Sequence, residues 1–302
     1  MPVVDIDWLY AVWAIKIAFM KRTRNVIAAS LAVIFGSSIA QTQAEPSPQI
    51  KLYTLDCGTV DMLDMSGFAD DGSMDGQAIT LADPCYLIRH PKGDFLWDTG
   101  LEQSLADVKG GITYQVHATR MKSKLTDQLA AIGLAPADIE FMAFSHWHPD
   151  HSGNAALFAS STFIADKTEH DFIFSDALRG DADTFALFAP LEDAKTILFS
   201  GTHDVFGDGS AVIHSMPGHT VGHTVLELNL PQSGTLLFTG DLYTHAGGRA
   251  VRAVPRFAAS KDDLLQSMDR FEALAKAKNA RIIIQHEPTH FDAMPVFPAF
   301  LN

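Results

Sequence analysis

The sequence predicts a mixed α/β domain, and three observations carry that prediction. Short apolar strands recur along the chain, at IKLYTLDCG (50–58), CYLIRH (85–90), IEFMAFSH (139–146), TFIAD (162–166) and RIIIQHE (281–287). Helical periodicity appears between them, with Leu125, Leu129 and Ile132 on one face of one segment and Leu264, Met268, Phe271 and Leu274 on one face of another. The chain has 302 residues, 47% of them hydrophobic and 19% charged, enough for one large domain or two small ones with a sizeable core.

The first 44 residues read as a targeting segment. From Met20, the residues Lys21, Arg22 and Arg24 form a positive start, Val26 to Ile39 is mostly apolar, and small residues follow up to Ala44. That succession is a secretory signal peptide, with Met20 as the expected true start and cleavage after Ala44 or Ala40. The competing reading is an uncleaved membrane anchor, for which the apolar run after Arg24 is short against a span of roughly 20 residues. Residues 45–302 then form the mature domain, expected in the periplasm or medium and not held to the membrane. Losing four Lys/Arg and two Asp takes the net charge from −14 to −16. An acidic chain with no basic run past residue 24 excludes nucleic acid as a partner. Cys57 and Cys85 are the two cysteines. Neither lies in a C-x-x-C arrangement, so cysteine-rich metal binding is excluded; export permits a disulfide, and a pair of buried thiols is the alternative.

Taken in order, IKLYTLDCG opens the mature domain as a strand. A Gly/Asp/Met-rich loop, DMLDMSGFADDGSMDGQAITLADP, runs from it to CYLIRH. The strand GDFLWDTG (93–100) follows, then a helix from Ser123 to Ile132 that Gly133 stops. The strands IEFMAFSH, TFIAD, AVIHSMPGH (211–219) and TLLFTGD (235–241) come next, then a helix begun by a Ser260–Asp263 capping box, then RIIIQHE.

Histidines and aspartates gather at the ends of these strands. SHWHPDHSGN (145–154) holds His146, His148, Asp150 and His151. Neutral imidazole is the commonest nitrogen ligand of zinc and a carboxylate adds oxygen, so an H-x-H-x-D-H spacing answers the needs of a metal site. PGHTVGHT (217–224) aims His219 off a Pro-Gly turn and assigns His223 a supporting role. FTGDLYTH (238–245) supplies Asp241, whose two oxygens can serve two cations, and QHEP (285–288) supplies His286. Asp98 in WDTG either orients a ligand or caps a turn. Chemistry placed in loops at strand ends is typical of a rigid sheet scaffold that presents a site.

H146-W-H148-P-D150-H151, PGHTVGH, TGD and the late QHE, in this order, resemble the metallo-β-lactamase superfamily from about residue 50 to the C-terminus. The resemblance implies an αββα sandwich. It implies two divalent metal ions, expected as zinc: one held by His146, His148 and His219, a second by Asp150, His151 and His286, with Asp241 and a hydroxide between them. Asp150 would also pass a proton to the leaving alkoxide. Within the superfamily, the Asp150–His151 pair and Asp241 disfavour class B β-lactamases, which usually lack that histidine or place cysteine at the bridging position. His148 disfavours the flavodiiron proteins, which carry glutamate there. Glyoxalase II enzymes append a helical domain, whereas 16 residues follow His286.

LYTLDCGTV, DPCYLIRHPKGDFLWDTGL and QHEP resemble secreted N-acyl-homoserine lactonases. The reaction implied is hydrolytic opening of the lactone ring, a small-molecule substrate, with phosphotriesterase-like or thioesterase chemistry as the alternative. Tyr243, two positions after Asp241, is assigned to contact the lactone; the family's tyrosine stands three positions on, and His245 is the other occupant of that space. The long loop with Met62, Met65 and Phe68 is equally suited to cover an acyl tail or to join two copies of the chain.

Overall fold

The computed structural model describes residues 49–302, so the leader read over residues 1–44, with its start at Met20, lies outside the described residues. The first sheet is built on a long antiparallel pair, β1 (Lys51–Met62) and β2 (Ile79–His90), which continues into β3 (Gly93–Trp97). A small hairpin, β4 (Ile112–Tyr114) and β5 (His117–Arg120), closes one edge by pairing with the far end of β1. On the other side β6 (Phe141–Ala143), β7 (Thr162–Asp166) and β8 (Thr196–Phe199) run parallel to β3, giving the order β4-β5-β1-β2-β3-β6-β7-β8. The second sheet holds β9 (Thr202–Asp204), β10 (Ala211–Ser215), β11 (Thr224–Leu230), β12 (Gly234–Phe238) and β13 (Arg281–Ile283), in the order β13-β12-β11-β10-β9.

The two sheets pack face to face. Leu52, Tyr86, Ile88, Phe95 and Trp97 of the first meet Ile213, Leu226, Leu228, Leu236 and Phe238 of the second. Helices cover both outer faces. On the first sheet lie α1 (Leu125–Ala131), α2 (Pro149–Ser152), α3 (Lys167–Ile173), α4 (Asp176–Arg179) and α5 (Ala182–Ala186), with Leu125, Leu129, Ile173 and Leu178 packed against Leu87, Leu96 and Phe163. On the second lie α6 (Ala246–Val251) and α7 (Lys261–Lys278), and α8 (Pro288–Asp292) follows β13. The α7 residues Leu264, Met268 and Phe271 pack on Val225, Leu237 and Ile284, which is the apolar face its periodicity predicts. The Ser260 hydroxyl accepts the Asp263 N–H at 3.2 Å and so starts α7 where expected. The layers are α, β, β, α: the sandwich expected from the sequence.

Several boundaries differ from the sequence reading. The loop read over residues 61–84 is shorter, because β1 continues to Met62 and β2 begins at Ile79. Thr80 donates to Asp61 at 2.6 Å on the outer face, while Val60, Met62 and Leu81 turn inward. Alternation thus extends both strands past the bulge between Asp56 and Thr59. Met62 and Met65 are buried, at 2% and 0%, with Ala69 and Met74, whereas Phe68 is half-buried with its ring edge-on to Phe257, 5.3 Å away. The buried strand β11 and the hairpin β4–β5 are additions that the sequence reading did not pick out. Cys57 and Cys85 form a disulfide that joins β1 to β2, which settles the choice between disulfide and free thiols.

Phe238 is fully buried between the sheets with its ring 4.5 Å from that of Tyr86. Phe238→Ala should cost about 3–5 kcal/mol of stability, read from the midpoint of denaturant unfolding.

Candidate metal centre

Each cluster residue is carried by a loop whose backbone is pinned. After β6 the chain is held at Ser145, whose N–H donates to Asp98 Oδ1 at 2.6 Å and whose carbonyl accepts the Thr224 N–H at 2.8 Å. That places His146 between the two sheets. Pro149 opens α2, where a fixed φ and a missing N–H suit a first helical turn. The N–H groups of His151 and Ser152 both bond to the His148 carbonyl, at 3.0 Å each, which winds Asp150 and His151 back toward His146. Gly218 precedes His219 with φ +135°, and a Cβ there would stand 2.2 Å from the Leu264 backbone nitrogen. Only glycine lets this loop dock on α7. His286 is strapped to β2: its Nδ1–H donates to the Ala82 carbonyl at 2.8 Å, and the Ala82 N–H returns a bond to the His286 carbonyl at 3.2 Å.

The structure brings all seven predicted residues together in two adjoining groups. In the first, His146 Nε2, His148 Nδ1 and His219 Nε2 lie 2.8–3.1 Å from one another. In the second, His151 Nε2 and His286 Nε2 are 3.1 Å apart, with Asp150 Oδ2 at 3.8 and 3.7 Å from them. Asp241 reaches both groups. Its Oδ2 is 3.4 Å from His219 Nε2, and its Oδ1 is 3.4 Å from His151 Nε2 and 3.0 Å from His286 Nε2.

The arrangement passes a direct chemical test for metal. His146 and His151 turn their Nδ1–H groups to Ser145 Oγ, both at 3.1 Å, and His151 Nδ1 also lies 3.1 Å from Asp98 Oδ2. With His286 Nδ1 on Ala82, these outward bonds fix which ring nitrogen faces the cluster, and in the neutral first group the inward nitrogens present lone pairs. Lone pairs this close repel one another unless a cation sits among them. Donor separations of about 3 Å suit metal–nitrogen bonds of about 2.0–2.1 Å. Asp241 Oδ1 is buried and faces His151 and His286, which places it for the same purpose.

Electrostatics divide the two groups. Burial drives the His146 and His219 rings well below their ordinary range and takes His148 down to about 4, so the first group is neutral imidazole, the form that binds metal. In the second group burial also opposes charge, but carboxylates outweigh it. Asp150, Asp98 and Asp241 hold His151 well up, and Asp241 pushes His286 up to about 9. Burial likewise opposes an ionised Asp241, and the His286 and His151 charges overcome it and hold the carboxyl well below its usual value.

The supporting residues are informative. Asp98, fully buried at a left-handed φ of +57°, spends one oxygen on the Ser145 N–H and the other beside His151, so it orients a cluster residue as well as fixing a turn. His223 donates from Nδ1 to the Met216 carbonyl at 3.1 Å and accepts the Asp241 N–H at Nε2 (2.9 Å), so neither nitrogen is left for a metal. Ser145 and Glu169 were not singled out in the sequence. A serine before a histidine motif and a glutamate in the first turn of a helix carry no signal of their own.

Tyr243 requires a correction. Its hydroxyl donates to Glu272 Oε1 on α7 at 3.0 Å, and its ring packs edge-on to Phe271, 6.0 Å away. Arg249 holds the same carboxylate with two bonds of 2.8 Å. The phenol therefore faces a cleft of about 380 Å³ on the α7 side, lined also by Arg249, Arg252 and His290, and not the cluster. Standing two rather than three positions after Asp241 sends the side chain into the α7 packing. The His245 ring is buried and lies back on Gly247 and Gly248 of α6.

A buried, two-lobed His/Asp cluster at the strand ends of an αββα sandwich defines the class: a metal-dependent hydrolase. The chain belongs to the metallo-beta-lactamase superfamily, whose family model matches residues 81–286. It is 30% identical over 260 residues to the N-acyl homoserine lactonase AttM of Azorhizobium caulinodans, covering 82% of this chain and 96% of that one. It is 26% identical over 257 residues to an N-acyl homoserine lactonase of Bacillus thuringiensis, covering 83% and 98%. Its fold is similar to that of an N-acyl homoserine lactone hydrolase solved with the product N-hexanoyl-L-homoserine at its catalytic metal center, with a TM-score of 0.70, 24% identity and coverage of 83% and 98%.

Because Tyr243 serves α7, Tyr243→Phe should leave kcat/KM for the best substrate within about threefold of wild type while lowering stability by roughly 1 kcal/mol. Steady-state kinetics and thermal melting of the same preparation check both halves.

Proposed function

We propose that the protein opens the lactone ring of N-acyl-homoserine lactones by hydrolysis, the reaction named for its AttM relatives. The observation that carries the reading is the two-lobed cluster with Asp241 reaching both lobes, in a chain that matches those relatives over nearly their whole length. In this reading the metals are held by His146, His148 and His219 on one side, Asp150, His151 and His286 on the other, and Asp241 between them, in keeping with the grouping of their ligand atoms. Two divalent cations held there would polarise the lactone carbonyl and make water a stronger acid. The nitrogen-rich first group suits zinc.

The chain's own groups divide the remaining work. Asp241 keeps the two lobes at a fixed spacing through its two oxygens. Asp150 is the most exposed carboxylate of the cluster, its side chain 20% accessible, and so is placed to meet substrate. As the water oxygen bonds to the carbonyl carbon, Asp150 takes the proton that the water gives up; the ring C–O bond then breaks, and Asp150 hands that proton to the departing alkoxide. No serine, cysteine or threonine nucleophile stands among the seven, so no acyl-enzyme forms. Solvent ¹⁸O should therefore enter the product carboxylate, and acyl-homoserine lactones should be cleaved far faster than β-lactams or phosphotriesters. Asp241→Ala should lose activity by about three orders of magnitude together with bound metal. A wild-type preference for phosphotriesters over every lactone would overturn the substrate and leave the hydrolase class standing.

We infer further that the chain is exported. The support is the charged, apolar and small-residue succession from Met20, joined by the Cys57–Cys85 disulfide, a bond that persists in oxidising compartments. N-terminal sequencing from the natural host should find a start near Gln41 or Glu45, and a cytosolic chain retaining residues 1–44 would refute it.

A further inference from the structure

We propose that Glu169 is the positioning residue of the first histidine group, tying the loop of His146 and His148 to the loop of His219 and doing so as a carboxylate. The proposal rests on the metal reading above. Glu169 lies in the first turn of α3, 3% exposed, and bonds to neither metal nor substrate in that reading. It accepts the Trp147 N–H at 2.9 Å, from between His146 and His148. From the other loop it accepts the Gly222 N–H at 2.8 Å and the Thr220 hydroxyl at 2.9 Å to each oxygen. Gly222 is required for this approach, since a Cβ there would stand 2.3 Å from the Glu169 nitrogen.

Every partner of the carboxyl is a donor. An ionised carboxylate accepts all of them, whereas a carboxylic acid or an amide turns one donor of its own toward other donors. No cation stands among the strongest influences on the charge. Asp166, at the head of α3, is the charged neighbour that acts on it. The loops it ties bring His146, His148, His219 and His223, and α3 brings Lys167, His170 and Asp171. Burial pushes the carboxyl up to about 7, with the Trp147 and Gly222 N–H groups and the Thr220 hydroxyl pulling against it.

The sign follows from linkage. The folded-state value lies above the usual carboxylate value, so the metal-free fold favours the protonated form and gives up stability as pH rises toward about 7. Cations bound beside the tied loops favour the ionised form. Binding metal and ionising Glu169 therefore assist each other, and the benefit is present above about 7 and absent below.

The test is Co²⁺ alone added to metal-free protein, followed by its visible absorption from about pH 6 to about pH 8. Wild type and Glu169→Gln should bind alike at the acid end, where glutamine mimics the protonated acid. They should diverge through neutrality until the variant is roughly tenfold weaker or more. A ratio that stays constant with pH marks a merely structural role, and a ratio of one throughout marks no role; either overturns the proposal. Should Glu169→Gln fail to melt cooperatively, Thr220→Val decides. Losing one donor should move the midpoint of the pH dependence upward, and an unmoved midpoint overturns the proposal. A wild type that takes up no Co²⁺ overturns instead the metal reading beneath it.

Discussion

Five imidazoles and two carboxylates crowd into one buried volume, and their mutual repulsion is the constraint on which the rest of the structure depends. Left to themselves, His146, His148 and His219, with nitrogens 2.8–3.1 Å apart, would swing away from each other. They are prevented from the outside. Ser145, Asp98 and Ala82 take the far nitrogens of His146, His151 and His286, and Thr224, Leu264 and Glu169 hold the loops that carry the cluster. The scaffold thus stores an unfavourable arrangement of donors that a cation turns into a favourable one.

The sandwich supplies the stiffness for this. Apolar side chains of both sheets interlock, Leu52, Trp97, Leu226 and Phe238 among them, and α7 presses the second sheet from behind. The metal-facing residues stand where that packed interior ends. His146, Asp150 and His151 issue from the first sheet, whereas His219, Asp241 and His286 issue from the second. Asp241 lies where the contributions of the two sheets meet.

Much of this was legible in the sequence, for a definable reason. Metal chemistry requires rare residue types at tight spacing, so His146 to His151, His219, Asp241 and His286 stand out from any background. The helix α7 announced itself through Ser260 and a clean apolar stripe. What stayed hidden depends on relations between distant segments. Glu169 looks like an ordinary helix-opening acid until Trp147 and Gly222 are seen to converge on it. Tyr243 looked catalytic from its nearness to Asp241, and its direction was decided by Glu272 and Arg249, far off in sequence. Strand β11 escaped notice because its buried polar Glu227 breaks the apolar run, and that glutamate is answered by His214 and Lys278.

The origin of the cluster in both sheets also bears on the order of events in folding. Strands as far apart in the chain as β6 and β13 must already be docked before His146 and His286 share a neighbourhood. Contacts of such long sequence separation form late. A metal ion therefore cannot seed this fold as it seeds a zinc finger; it arrives as a latch on a finished frame.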